Sequence, residues 1–291
     1  MEPKTVILCP NPDRDHGMKA TKAAIQLLQE AGFRTVVCSP FRDPKAGAFD
    51  DLAIKPLLSE LKNASLIITL GGDGTILHLA KLAALHRIPM LGINMGGLGF
   101  LAELEVGSLE TLRSLKGGEF PVEERMMLSG TVYRNGEAIG EDIALNDIVI
   151  SREGSLRVVR FKNFVNDEYL NSYNADGIII STPTGSTGYS LSVGGPIVSP
   201  SGEMTIMTPI APHTLNTRSI VFPAEDVITV EMGEGRHNDC EKGLASFDGD
   251  SEIPMITGDR IVIRKAEVKT RILKLNHLSF VEVLRQKMRD S

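Results

Sequence analysis

Gly71-Gly72-Asp73-Gly74-Thr75 sets one carboxylate among three glycines. Glycines let backbone N–H groups approach phosphate oxygens closely, and a helix N-terminus favours anions. A carboxylate beside bound phosphate is repelled unless it has a task. Two tasks suit Asp73: holding Mg2+, or taking the proton of an attacking hydroxyl. A tight turn with an aspartate near a helix N-cap uses the same residues. A second glycine group, Asn94-Met95-Gly96-Gly97-Leu98-Gly99-Phe100, lies one strand and one helix further on. Such loops also serve plain close packing, and Phe100 suits either a ligand ring or a core. The longest cluster runs from Asn174 to Ser192, NADGIIISTPTGSTGYSLS. An apolar stretch there leads into hydroxyls and glycines, which offer donors and acceptors with little bulk and suit a nucleobase and ribose. Asn146-Asp147 opens another apolar stretch and carries groups able to bond a base and ribose hydroxyls, or to make a turn. In Pro209 to Asn216 two prolines fix a loop around His213, either a ligand-facing or a structural histidine.

These groups need strands and helices to hold them. Thr5–Cys9, Thr35–Cys38, Leu66–Leu70 and Met90–Ile93 read as strands, and 18–31 and 76–85 read as helices, the first ended by Gly32. This βαβα order predicts a mostly parallel sheet with helices on both faces. Both glycine groups then leave strands at the carboxyl edge, where such sheets bind ligands. Near Gly117-Gly118 the pattern changes. Short strands follow: 128–134 and 138–140 around the hairpin dipeptide Asn135-Gly136, then 144–150, 158–165, 177–180, 227–232 and 261–264. This part reads as an antiparallel second domain, with the polar stretch 233–243 as a loop. Residues 280–288 return to helical spacing and are expected to pack on the first domain.

The chain has 291 residues, 42% of them hydrophobic, enough for one large domain or two smaller ones. A formal net charge of −6 argues against a nucleic-acid partner or an anionic membrane surface. No apolar run has the length of a membrane span, and the N-terminus runs into a strand pattern without signal-peptide character. Cys9, Cys38 and Cys240 are odd in number and widely spaced, as expected of reduced thiols in a cytoplasmic protein.

Taken together, the motifs resemble those of bacterial-type NAD kinases. The matching residues are GGDGT at 71–75, NMGGLGF at 94–100, NDIVISR at 146–152, ADGIIISTPTGSTGYSLSVGGPIVSP at 175–200, PIAPHTLNTRSI at 209–220 and SFDGD at 246–250. GGDGT alone is shared with diacylglycerol, sphingosine and phosphofructokinase-type kinases, whereas the 175–200 run discriminates. The resemblance implies an α/β N-terminal domain with a mostly parallel sheet and an all-β antiparallel C-terminal domain, with the active site between them. The expected limits are 1–118 with 276–291 packing back, and 119–275. It implies ATP and NAD as substrates, Mg2+ or another divalent cation as cofactor, and a homodimer or homotetramer in which a neighbour completes the NAD site.

By the family pattern, Asp73 is the catalytic base, and Gly71, Gly72 and Thr75 belong to the phosphate loop. Gly74 contacts the dinucleotide, and Asn146 and Asp147 hold adenine and ribose. Thr187, Gly188, Tyr189 and Ser192 belong to the adenosine pocket, and Ser190 and Leu191 between them are further NAD-binding residues. Asp176 and Ala211 are implied near the nicotinamide half, and His78, Phe100, Arg157 and Asp250 as further NAD contacts. The aromatic that often follows Phe100 is Leu101 here, and no metal ligand is assigned to the protein. Relatives restricted to oxidised NAD tend to carry arginine at the position of Asn174, so Asn174 implies acceptance of NADH as well. The implied reaction moves the ATP γ-phosphoryl to the 2′-hydroxyl of the adenosine ribose of NAD, giving NADP. The rival readings are a lipid kinase sharing the GGDGT loop and a non-catalytic NADP-binding sensor.

Overall fold

In the first part of the chain, runs of β-branched and large apolar residues form strands buried on both faces. β1 (Thr5–Pro10), β2 (Arg34–Cys38), β3 (Ile54–Lys55), β4 (Ala64–Gly71) and β5 (Met90–Asn94) pair in parallel, in the order β5-β4-β1-β2-β3. Every residue of β1 and β5 is buried, as two-sided cover requires. The helices are α1 (Lys19–Glu30), the single turn α2 (Leu57–Glu60) and α3 (Asp73–Leu85). Ala20, Ala24, Leu27 and Leu28 of α1 pack on Val6, Leu8, Ile68, Leu91 and Ile93. Leu109, Leu112 and Leu115, from the 3-10 segment Val106–Leu115, join the same face. α3 covers the other face. Gly92 alternates with Leu91 and Ile93, and a Cβ there would come within 2.5 Å of Ile76 Cδ1.

This computed structural model describes residues 3–41, 49, 51–97, 99–116, 121–154, 158–214, 217–234, 240–276 and 278–289. The chain divides into two compact units, 1–124 with 270–291, and 125–269. In the first, the C-terminal helix Phe280–Lys287 starts with a capping box made by Ser279 and Glu282. The Phe280 ring lies 6.2 Å from the Phe100 ring.

The second unit is built from antiparallel strands. They are β7 (Val122–Arg134), β8 (Glu137–Ala144), β9 (Asp147–Arg152), β10 (Val159–Val165), β11 (Glu168–Ala175), β12 (Gly177–Ser181), β13 (Met204–Ile210), β14 (Ile220–Pro223), β15 (Ile228–Met232), β16 (Lys242–Phe247), β17 (Ser251–Ile256) and β18 (Arg260–Leu273), with β6 (Leu104–Glu105) preceding them in the first unit. One sheet has the order β14-β13-β12-β9-β16-β17. In the other, β11, β10, β15 and β18 pair in that order, and the β7–β8 hairpin joins through β18. Ile148, Ile150, Ile178, Ile180 and Phe247 of the first sheet meet Phe161, Val230, Ile261 and Leu128 of the second in one core. Gly130 sits at this contact, because a Cβ there would meet Ile148 Cδ1 at 2.9 Å. The fold is thus the expected α/β unit followed by an antiparallel β unit.

Several elements differ from the sequence expectation. α3 begins at Asp73, three residues before the apolar periodicity starts. β18 runs 14 residues where four were expected, since charged residues such as Arg264, Lys265, Glu267 and Lys269 interrupt the apolar run while Ile261, Ile263, Ala266 and Ile272 are buried. Strands β11, β13, β14, β16 and β17 were not anticipated, being polar, short or carrying proline. Pro254 is tolerated because β17 is an edge strand. Of the expected loop 233–243, Lys242 and Gly243 already belong to β16, and 235–239 lie outside the described residues.

Candidate functional site

The first unit brings three loops to the carboxyl ends of β1, β4 and β5. β4 and β5 end in register, Gly71 opposite Asn94, and Met95 N–H donates to Gly71 O at 2.8 Å. Gly72 is the N-cap of α3 and Asp73 its first residue, so the Asp73 carboxylate sits at the positive end of the helix dipole. One carboxylate oxygen accepts from Phe100 N–H at 2.9 Å and the other from Leu101 N–H at 3.3 Å. The second glycine group therefore orients Asp73. Its lack of side chains is required: a Cβ on Gly99 would lie 2.1 Å from Asp73 Oδ1. Gly71 is needed equally, since a Cβ there would lie 2.3 Å from the buried Thr75 hydroxyl. Asn94 Nδ2 donates to Gly97 O and closes that loop on itself. Gly74 has open space at its Cβ position.

Two further expected contacts in this unit pack against aromatic rings. The His78 ring packs edge-on against Phe41, 5.5 Å between centroids. Phe100 lies between the Phe280 ring and the Lys287 ammonium, the latter 5.8 Å from its centroid. The loop after β1 was not singled out in the sequence. It brings Asn11, whose Nδ2 is 3.5 Å from Thr75 Oγ1, and Arg14, which lies beside both glycine groups.

In the second unit, β9 and β12 pair side by side, and their ends carry Asn146-Asp147 and the 182–192 loop. The Asp248 carboxylate accepts from three successive backbone N–H groups, those of Leu145 (2.6 Å), Asn146 (2.7 Å) and Asp147 (3.0 Å). Asp248 sits in a tight turn between β16 and β17, with φ 53 followed by Gly249 at φ 71. It was missed because an Asp-Gly turn in sequence carries no mark of what its side chain reaches. Gly185 packs on this segment so closely that a Cβ would stand 2.1 Å from Asn146 O. At Gly188 the missing Cβ would lie 3.4 Å from Asn146 Nδ2 and 3.9 Å from Asp147 Oδ2. A side chain at that position would crowd both groups. Asn146 Oδ1 is buried with no hydrogen-bond partner among the described residues, an orphaned acceptor of the kind a ligand donor satisfies. Burial, with the neighbouring Asp248 charge second, pushes Asp147 up to about 7. Burial also raises Asp248, against the three N–H bonds that favour its charged form.

The hydroxyl-rich run divides into an inner and an outer half. Thr182 Oγ1 donates to Leu145 O at 2.6 Å, Ser186 Oγ to Pro183 O at 2.7 Å, and Ser181 Oγ to Thr182 O at 2.9 Å. These buried hydroxyls build the loop. Ser190 is buried too, 3.3 Å from the Thr208 hydroxyl. Tyr189, Leu191 and Ser192 are exposed, and Thr187 and Gly188 are half-buried. Asp176 forms an ion pair with Arg152, 2.8 Å, at the end of β9. Asn174 and His213 are joined by a backbone bond of 2.8 Å. Both line a cavity of about 680 Å³ with Arg160, Lys162 and Glu231, and Asn146, Asp147 and Gly188 are not part of its lining. Ala211 has φ 44, a conformation uncommon for a residue with a Cβ. Asp250 N–H closes the Asp248 turn onto Phe247 O at 3.0 Å. Arg157 lies outside the described residues.

A carboxylate at a helix N-terminus, inside glycine loops at the carboxyl edge of a parallel sheet, suits a phosphotransferase that acts on a hydroxyl. Residues 6–115 match the ATP-NAD kinase N-terminal domain and residues 145–275 the ATP-NAD kinase C-terminal domain. A protein named NAD kinase from Lachnospira eligens is 42% identical over 281 residues, 93% of this chain and 90% of that protein. One from Lachnoclostridium phytofermentans is 37% identical over 99% of both chains. Among solved structures, yeast NADH kinase complexed with NADH superimposes with a TM-score of 0.84 at 24% identity, over 99% of this chain and 88% of that one. An NAD kinase from Archaeoglobus fulgidus in complex with ATP gives 0.75 at 24% identity over 99% of both. The chain belongs to the NAD kinase family. It is an enzyme that phosphorylates NAD with ATP, and neither the lipid-kinase nor the sensor reading is favoured.

Proposed function

We propose that Asp73 is the catalytic base, taking the proton of the 2′-hydroxyl of the adenosine ribose as that oxygen attacks the γ-phosphorus of ATP. The observation that carries this is the Asp73 carboxylate, oriented by the N–H groups of Phe100 and Leu101 at the mouth of α3. Each carboxylate oxygen keeps a lone pair for the substrate hydroxyl after accepting one N–H bond. Phosphoryl transfer is catalysed mainly by positioning and charge neutralisation. The Gly71–Gly72 and Gly96–Gly97 loops supply close backbone approach to the phosphates.

For the acceptor, Asn146 bonds the adenine edge through its orphaned Oδ1, and Asp147 accepts from the ribose. Thr187, Gly188, Tyr189 and Ser192 frame the adenosine, and Asp176 and Ala211 serve the nicotinamide half. A magnesium ion carried on ATP needs only one or two protein carboxylates. When bound, the ion neutralises phosphate charge. Asn174, in place of an arginine, leaves room for reduced as well as oxidised dinucleotide. A cytoplasmic homodimer or homotetramer completes the reading, and among the described residues no helix is long and apolar enough to cross a membrane.

Asp73→Asn tests the base. A general base contributes about 10²–10⁴-fold, so kcat should fall by that factor with NAD affinity retained. Turnover above about a tenth of wild type refutes the assignment, and an equal loss through NAD affinity makes Asp73 a binding residue. Initial rates on NAD and NADH at saturating ATP test Asn174, and no NADPH formation sinks that part. Light scattering of the purified protein reads the oligomer, and a monomer contradicts the subunit-shared site.

A further inference from the structure

The glycine loops are short of positive charge. Asp73 is anionic chemistry placed where phosphates arrive, and within the two glycine loops the protein itself offers only backbone N–H groups against that charge. The loop after β1 supplies the missing cation. Arg14 N–H and Asp15 N–H both donate to Asn11 O, at 3.0 and 2.9 Å, and Asp13 N–H donates to Asn11 Oδ1 at 3.0 Å. This folds residues 11–15 into a compact turn beside the end of β4, where Asn11 N–H donates to Leu70 O at 2.8 Å.

Asp15, next to Arg14 in the chain, is buried and does not neutralise it. Its carboxylate accepts from Ala20 N–H (3.0 Å), Thr21 N–H (2.8 Å) and the Thr21 hydroxyl (2.6 Å), tying the turn to the start of α1. The Arg14 guanidinium lies over the two glycine groups. A Cβ on Gly72 would stand 3.3 Å from Arg14 Nη1 and 3.4 Å from its Cζ, and a Cβ on Gly96 would stand 3.3 Å from the same nitrogen. Both glycines leave the space in which the guanidinium rests. Among the described residues it has no carboxylate partner. Three neighbouring strand ends thus place a cation, two bare backbones and a helix N-terminus around one volume.

We infer that Arg14 is a substrate-binding residue of the kinase, its guanidinium bonding the phosphate chain of ATP above the Gly72 and Gly96 backbones. The planar fork matches phosphate oxygens bidentately, and its charge offsets the repulsion between Asp73 and the chain. The inference rests on the reading of these loops as the ATP phosphate site.

The test uses the full-length enzyme carrying R14K, R14Q and R14E. Losing a charge-assisted hydrogen bond costs roughly ten- to a hundredfold in affinity. KM for ATP should rise by that factor in R14Q, less in R14K and more in R14E, with KM for NAD within about twofold of wild type. Competitive inhibition should weaken more for ADP than for AMP, because the guanidinium reads phosphate and not adenosine. KM for ATP should also lose salt dependence in R14Q. The inference falls if R14Q binds ATP like wild type, if ATP and NAD constants rise together, or if R14E is no worse than R14Q. Asp73→Asn, run in parallel, separates the two readings. If Asp73→Asn keeps its turnover and R14Q also binds ATP like wild type, the reading of these loops as the phosphate site falls, whereas an inactive Asp73→Asn with unaltered R14Q removes only the role of Arg14.

Discussion

Among single residues, Asp147 has chemistry that bears directly on the site. Burial and the Asp248 charge raise it to about 7, so it changes charge near neutrality. As an ionised acceptor for ribose hydroxyls it should bind NAD better as pH rises, and KM for NAD is expected to fall between pH 6 and 8. A flat profile would count against that role. In stability the sign is opposite. The folded state holds this proton more tightly than the unfolded chain, whose carboxylate titrates near ~4. The stabilisation is full below that value and is lost as pH rises through about 7. Asp147→Asn should therefore lose less thermal stability between pH 5.5 and 8 than wild type, measured by thermal unfolding at each pH. Asp248→Asn removes the neighbouring charge and should move the NAD inflection to lower pH.

At the scale of elements, two glycines show how loops serve different steps. A Cβ at Gly99 would strike the Asp73 carboxylate, the end of a movable side chain. Gly99→Ala should leave the fold intact and displace the base. Misplacement of about 1 Å can cost on the order of 10²-fold, so kcat should fall at least tenfold with unfolding temperature unchanged. A Cβ at Gly185 would strike the Asn146 carbonyl, which is backbone and cannot step aside. Gly185→Ala should raise KM for NAD and lower the unfolding temperature together. Steady-state kinetics and melting curves on both variants distinguish the two outcomes.

For the whole molecule, one hydrophobic cluster packs α1 on the parallel sheet and another fills the antiparallel unit. Phe161 is fully buried in the second. Truncating such a side chain costs about 3–5 kcal/mol, so Phe161→Ala should shift the denaturant midpoint strongly in equilibrium unfolding. An effect below about 1 kcal/mol would show that the sandwich core repacks around the loss.

Local chemistry was enough to read part of this protein. Asn135-Gly136 makes the expected turn, with φ of 52 and 85, because only a few residues accept those angles. The apolar runs of β1, β4 and β5 and the spacing in α1 are likewise local signals, and they led to the parallel sheet and to GGDGT at its edge. The small-residue run at 175–200 marked the family. Contacts made across long stretches of sequence were not legible. Nothing near Asp248 announces that its carboxylate clamps residues about a hundred positions away, and nothing near Arg14 announces Gly72 and Gly96. The same holds within the 182–192 loop, where identical hydroxyl types divide into buried braces and an open surface. Residue type sets what a group can bond, whereas the partner it meets is decided by how distant strands pair.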